Sequence, residues 1–190
     1  MSDPLLAPLT ALGMNAPMIE TIGGVTIGEN TSLAIASLSA RKGKDQELRA
    51  LIQPVLGDSL PQPGHAIGAR DVTAVWTGVD QWFLMAPLPE HPDFAAEIKA
   101  LVADTASVTE QTDGWVVFDI TGANLIPLLE RLCSLDTKAM MAGDATRCLI
   151  EHLGCLILCR ESARSFTLLG PRSSAASLHH TLVTAARSIA

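Results

Sequence analysis

The order in which strand-like and helix-like stretches succeed one another is what most constrains this chain. Short apolar runs with strand character alternate with single stripes of helical spacing, and the runs often come in pairs or triplets. Ser32–Leu38 reads as a strand buried on at least one face, followed from about Lys44 by a helix carrying Leu48, Leu51, Ile52, Val55 and Leu56. Pro54 removes a backbone donor, so this helix is expected to end near Gln53, with Gly57 in the turn. Val72–Trp76 and Gln81–Ala86 are strands about the tight turn Thr77–Asp80, and a second helix after Pro92 buries Phe94, Ile98, Leu101 and Val102.

The second half repeats the pattern without visible sequence identity to the first. Ser107–Thr112 and Trp115–Ile120 flank Asp113-Gly114, a strong hairpin signal. Thr121 is expected to cap a helix carrying Leu125, Ile126, Leu128, Leu129 and Leu132. Strands over Thr146–His152, Cys155–Arg160 and Ser165–Leu169 follow, with a turn at Leu153-Gly154-Cys155. A last helix begins after Pro171, capped by Ser173 or Ser174, with its stripe at Ala175, Leu178, Leu182, Val183, Ala186 and Ile189. The order β-α-β-β-α-β then β-α-β-β-β-α implies an α+β fold of two split βαβ, ferredoxin-like modules. In each, helices cover one face of an antiparallel sheet. The modules fall at about 31–112 and 113–190 of a single compact domain. Residues 1–30, punctuated by Pro4, Pro8, Pro17 and Gly23-Gly24, read as an extended, mostly irregular arm.

Composition narrows the function classes. The net charge of −7, from 13 Lys+Arg against 20 Asp+Glu, repels phosphate backbones and argues against nucleic-acid binding. Only 17% of residues are charged, against roughly 25% in an average soluble domain. A surface partly covered by a protein partner accounts for that deficit, as would an Ala- and Leu-rich core. No apolar run is long enough to span a bilayer, and Met1-Ser2-Asp3-Pro4 lacks the basic start of a signal peptide. A cytoplasmic location without membrane attachment is the expectation.

Few constellations suggest chemistry. Cys155 and Cys159 share a strand face near Cys148 and His152, but they sit in Leu/Ile runs and lack a second ligand pair, so core thiols fit better than zinc. There is no Gly-x-Gly-x-x-Gly or phosphate loop. No catalytic, cofactor-binding or metal-ligating residue is assigned. Arg172, at a helix start, could hold an anion or belong to an ordinary cap. Trp76 and Trp82 flank a turn with Asp80; exposed they would anchor a partner, buried they fill the core. Trp76, Asp80, Trp82 and Arg172 are the candidate interface residues.

The segment Trp76-Thr77-Gly78-Val79-Asp80-Gln81-Trp82-Phe83-Leu84 resembles the double-Trp turn of gamma subunits of heterotetrameric sarcosine oxidase. Leu56-Gly57 with Leu60-Pro61-Gln62-Pro63 is similar to the loop preceding it in that family. Asp119–Ala123, Leu135-Asp136 and the tail Phe166–Ser173 with Leu178 fit as well, so the likeness covers roughly 56–185. The resemblance implies an aminomethyltransferase-like, folate-binding-type fold and an accessory role without an active site of its own. The whole enzyme demethylates sarcosine oxidatively to glycine, with peroxide and one-carbon transfer to tetrahydrofolate. It implies alpha, beta and delta subunits as partners, and FAD, FMN, NAD, zinc and tetrahydrofolate carried by them. Val79-Asp80-Gln81 departs from the usual Pro-Asp-Glu, and Gln81 removes a charge. The alternative is a stand-alone folate-binding, one-carbon module. Against it, the Gly-Gly hairpin of aminomethyltransferases is replaced by a single glycine, Gly154, and Asp136 reads as ending a helix.

Overall fold

The computed structural model describes residues 8–69 and 71–190. Among them run eleven strands and four α-helices in the order β1 (Ile19–Ile22), β2 (Val25–Glu29), β3 (Leu33–Ala40), α1 (Asp45–Leu56), β4 (Ala66–Ala69), β5 (Val72–Gly78), β6 (Gln81–Pro87), α2 (Phe94–Val102), β7 (Ala106–Glu110), β8 (Trp115–Gly122), α3 (Leu125–Leu132), β9 (Ala145–Ile150), β10 (Leu153–Glu161), β11 (Ser165–Pro171) and α4 (Ala175–Arg187). One antiparallel sheet has the order β4-β5-β6-β3-β7 and the other β1-β2-β8-β11-β10-β9.

Strand alternation decides the layers. On β3 and β6, Ala34, Ala36, Leu38, Trp82, Leu84 and Ala86 bury against α1 and α2, whose stripes are Leu48, Ile52, Leu56 and Phe94, Ile98, Val102. Their neighbours Ile35, Phe83 and Met85 point the other way and meet Val117, Leu156, Leu158 and Leu169 of the second sheet. The opposite face of that sheet, with Phe118, Ile120, Ile157, Phe166 and Leu168, packs on α3 and α4. The result is helices, sheet, sheet, helices: each module covers one sheet face with helices and the other with its sister module. Trp115 sets its ring edge against Phe83 at 5.3 Å and 69° within the middle layer. Arg147 Nε donates across the layer to the Thr77 carbonyl at 2.8 Å, and the Ala66 and Ala145 amides bond Gly143 and Gly64 carbonyls.

Several local expectations are corrected. α1 continues through Pro54 to Leu56, because burying Leu56 in the stripe outweighs the single missing donor; Gly57, at φ 72°, then closes the helix onto Gln53. Asp113-Gly114 is not a hairpin. It lies in a 3-10 turn that carries the chain from one sheet to the other, since β7 pairs with β3 and β8 pairs with β11 and β2. The Glu110 carboxylate accepts the Gln111 and Thr112 amides and so fixes that crossing. Thr121 belongs to β8 and caps nothing; Ser173 and Ser174 likewise make no side-chain cap. The turn after β9 is Glu151-His152, both at positive φ (45° and 70°), a two-residue hairpin of the kind matched to strand twist, and Gly154 sits inside β10.

The arm is also partly reassigned: Ile19–Glu29 forms the β1–β2 hairpin, with β2 pairing to β8 from Val25↔Gly122 to Glu29↔Phe118. Val25 and Ile27 bury in the core over α3 and α4, and their alternation is the signal that the prolines around them obscure. Residues 1–7 lie outside the described residues. Thr10–Met18 is held by Glu29, whose nearly buried carboxylate accepts the Leu12 amide at 3.1 Å and the Met18 amide at 3.4 Å. Glu29→Ala would strand both amides at a cost of about 2 kcal/mol. Limited proteolysis should then cut within Thr10–Met18 roughly 30-fold faster, with the remainder of the chain as protected as before.

Candidate functional site

The double-Trp turn is built as a lock. β5 and β6 face each other through Trp76↔Trp82, with a bulge between Trp76 and Gly78, so the turn closes on Val79-Asp80. Asp80 adopts φ 54°, which an aspartate tolerates in a tight turn, and its carbonyl accepts the Ala40 amide at 3.0 Å. Trp82 points to the helical side and is 2% exposed. Its Nε1 donates to the Pro61 carbonyl at 3.0 Å, and the Arg49 guanidinium lies 5.4 Å from its ring centre. Arg49 is held in turn by Asp45 and by the Leu60 carbonyl at 3.0 Å. The Leu60–Pro63 loop and the second tryptophan are therefore two parts of one contact.

This corrects the reading of Trp82 as a partner anchor: it is core, with no face left for another chain. Trp76 is half-buried against the same cluster. Asp80 is exposed, and Val79 beside it is 83% exposed at the tip. Nor does the structure bring Arg172 to the other three. It lies in the 3-10 turn before α4, where Nη2 donates to the Leu9 carbonyl at 2.9 Å and Nη1 lies 3.3 Å from Asp113. Both terminal nitrogens of Arg172 thus meet groups of the chain itself. Together with Glu29, Asn30, Leu33, Thr112 and Trp115 it lines a cleft of about 340 Å³ where the N-terminal segment crosses the junction of the sheets.

A second surface escapes the sequence reading. Beyond Val117, the face of β8 that meets the other sheet continues as Asp119 and Thr121. There Asp119 accepts Asn30 Nδ2 at 2.7 Å and the Thr167 hydroxyl at 2.6 Å, and Arg160 Nε donates to Thr167 at 3.1 Å. Ile19, Thr26, Gly28, Asp119 and Thr121 line an open groove of about 420 Å³, with Ile19 72% exposed. The only signal in the sequence is Asp119 and Thr121 at alternate positions of an otherwise apolar strand.

The cysteines divide into two kinds. Cys155 and Cys159 are buried in the core under α3 and α4, where burial pushes both thiols up, Cys155 to about 11. Cys133, just after α3, and Cys148, on β9, are half-buried. Among the described residues no group of three His, Cys, Asp or Glu side chains is placed to hold a metal ion. Nor is any helix among them long and apolar enough to cross a membrane.

This arrangement of layers has known counterparts. The chain is similar to a chain of the heterotetrameric sarcosine oxidase from Corynebacterium sp. U-96, in complex with pyrrole 2-carboxylate, with a TM-score of 0.76 and 19% identity over 90% of this chain and 88% of that one. It is also similar to the glycine cleavage system aminomethyltransferase T from Bartonella henselae, with a TM-score of 0.66 and 14% identity over 88% of this chain. This is an aminomethyltransferase-like fold. The chain spans half the length of the Bartonella henselae protein but nearly all of the sarcosine oxidase chain. No protein-family model matches the sequence. Nor does a comparison of sequences match it to a characterised protein.

Proposed function

We propose that this chain is a gamma-type accessory subunit of a sarcosine oxidase complex, without an active site of its own. One observation carries the reading. The likeness takes in 90% of this chain and 88% of a chain from a heterotetrameric enzyme, whereas the same fold is only half of the aminomethyltransferase chain. The polar and ionic groups described above support it, because they fasten the chain to itself. Glu29 and Arg172 tie down the N-terminal segment, and Arg49 and Trp82 lock a loop. On this reading the alpha, beta and delta subunits are the partners, and they carry FAD, FMN, NAD, zinc and tetrahydrofolate. The complex oxidises sarcosine to glycine and peroxide, passes the one-carbon unit to tetrahydrofolate, and works in the cytoplasm.

Affinity purification of the tagged chain from its native cells tests this. The expected eluate contains larger chains, has the visible spectrum of bound flavin, and evolves peroxide when sarcosine is added. A colourless eluate of this chain alone, able to bind tetrahydrofolate, would replace the proposal with the stand-alone one-carbon module that the likeness to aminomethyltransferase T also suggests.

A further inference from the structure

An aspartyl carboxyl can close on the backbone nitrogen of the next residue, and a bulky or β-branched follower shields that nitrogen. Asp58, Asp113 and Asp144 are the aspartates followed by serine, glycine or alanine. By sequence Asp113-Gly114 is the most open of these, since glycine has no Cβ to stand in the way. The fold reverses that order. The Gly114 amide donates to the Gln111 carbonyl at 2.9 Å within the 3-10 turn, and the Asp113 carboxylate lies 3.3 Å from Arg172. The Ala145 amide donates to the Gly64 carbonyl at 2.8 Å, while Asp144 Oδ2 accepts the Met141 amide at 2.8 Å. Ser59 differs from both. Its amide meets no carbonyl among the described residues and donates instead to Oδ1 of Asp58, the residue before it, at 2.6 Å.

Two fixed points set this contact. α1 ends at Leu56, and Gly57, at φ 72°, turns the chain back onto Gln53. Leu60 is buried, and its carbonyl accepts Arg49 at 3.0 Å. Asp58 and Ser59 bridge the gap between these anchors and are both exposed. Arg49 Nη1 also donates to the Ser59 hydroxyl at 3.4 Å. The pair is therefore held in one arrangement while open to water, the condition under which proximity speeds a reaction between neighbouring groups.

We propose that Asp58 is the residue at which this chain isomerises to isoaspartate, ahead of Asp113. The inference does not depend on the subunit reading. In the first step the Ser59 backbone nitrogen attacks Cγ of the protonated Asp58 carboxyl. The N–Cγ bond forms, the Cγ–OH bond breaks, and the oxygen leaves as water with the amide proton. The product is a five-membered cyclic imide. In the second step water adds to one of its two carbonyl carbons and the C–N bond at that carbon breaks. Opening at Cγ restores aspartate, whereas opening at the main-chain carbon routes the chain through Cγ and leaves the α-carboxylate as the side group. One water leaves and one returns, so nothing is oxidised and the mass is unchanged. The isomer lengthens the main chain by one carbon at the entry to the Leu60–Pro63 loop that Arg49 and Trp82 hold.

The test incubates the full-length chain in warm, near-neutral buffer made with heavy-oxygen water, once folded and once unfolded in guanidinium chloride. Each passage through the imide leaves one heavy oxygen, which tandem mass spectrometry of tryptic peptides assigns to Asp58 or Asp113. In the unfolded chain Asp113 should label first, because glycine shields its nitrogen least. In the folded chain Asp58 should label first, at no less than its unfolded rate. Asp113 should fall about fivefold below its own unfolded rate, the factor for breaking one backbone hydrogen bond before attack. Asp58→Glu should remove the label at that position and leave Asp113 as slow as before. Two results would overturn the proposal: Asp113 labelled ahead of Asp58 in the folded chain, or Asp58 labelled more slowly folded than unfolded.

Discussion

Trp82→Ala is expected to unfold the chain about 4 kcal/mol more easily, the range for deleting a large aromatic from a packed core. The side chain is 2% exposed, its Nε1 is bonded to the Pro61 carbonyl, and its ring supports Arg49. Removing it opens a cavity against α1 and α2 and leaves the Pro61 carbonyl without its donor. Trp82→Phe separates the two effects: most of the volume stays and the bond goes, so about 1.5 kcal/mol should be lost. Trp76→Ala should cost less than Trp82→Ala, since Trp76 is only half-buried. Denaturant titration of the three variants checks the order. A Trp82→Ala chain as stable as the parent would refute the lock.

Gly122→Ala should be nearly as damaging, at about 3 kcal/mol, for a reason in the backbone. Gly122 has φ +140°, and an added Cβ would lie 2.1 Å from the Gly24 carbonyl oxygen and 3.1 Å from Val25 Cα. Neither contact involves a side chain that could swing aside. The β1–β2 hairpin must therefore back away from β8, breaking the pairs Val25↔Gly122 and Thr26↔Thr121 and drawing Val25 and Ile27 out of the core. In a domain of this size the expected fall in Tm is roughly 6–12 °C. Hydrogen exchange should locate the damage: amides of Val25–Glu29 lose protection first, and those of β5 and β6 keep theirs. Uniform loss across both sheets would contradict the assignment of the clash to this edge.

The sequence made the layers legible because alternation and helical stripes report burial directly. Leu48, Ile52 and Leu56, or Phe83 against Leu84, point where their spacing says they should. Pairing was less legible, since it depends on which partner a strand finds at a distance. Asp113-Gly114 has the chemistry of a hairpin, yet β7 gains more on the edge beside β3, and β8 gains more between β2 and β11. The β1–β2 hairpin was hidden by prolines and glycines that serve as its boundaries and turn. At the candidate site, residue type signalled importance without its kind. Two tryptophans about a turn are equally good anchors or core, and only the Pro61 carbonyl and the α1 helix behind Trp82 decide.

The central claim is tested most directly by native mass spectrometry of the chain purified from its own cells under gentle conditions. The account predicts one assembly in which this 20.0 kDa chain is bound to larger, flavin-bearing chains, and no free pool of it. A free 20.0 kDa species that gains the mass of one tetrahydrofolate when the cofactor is added would contradict it.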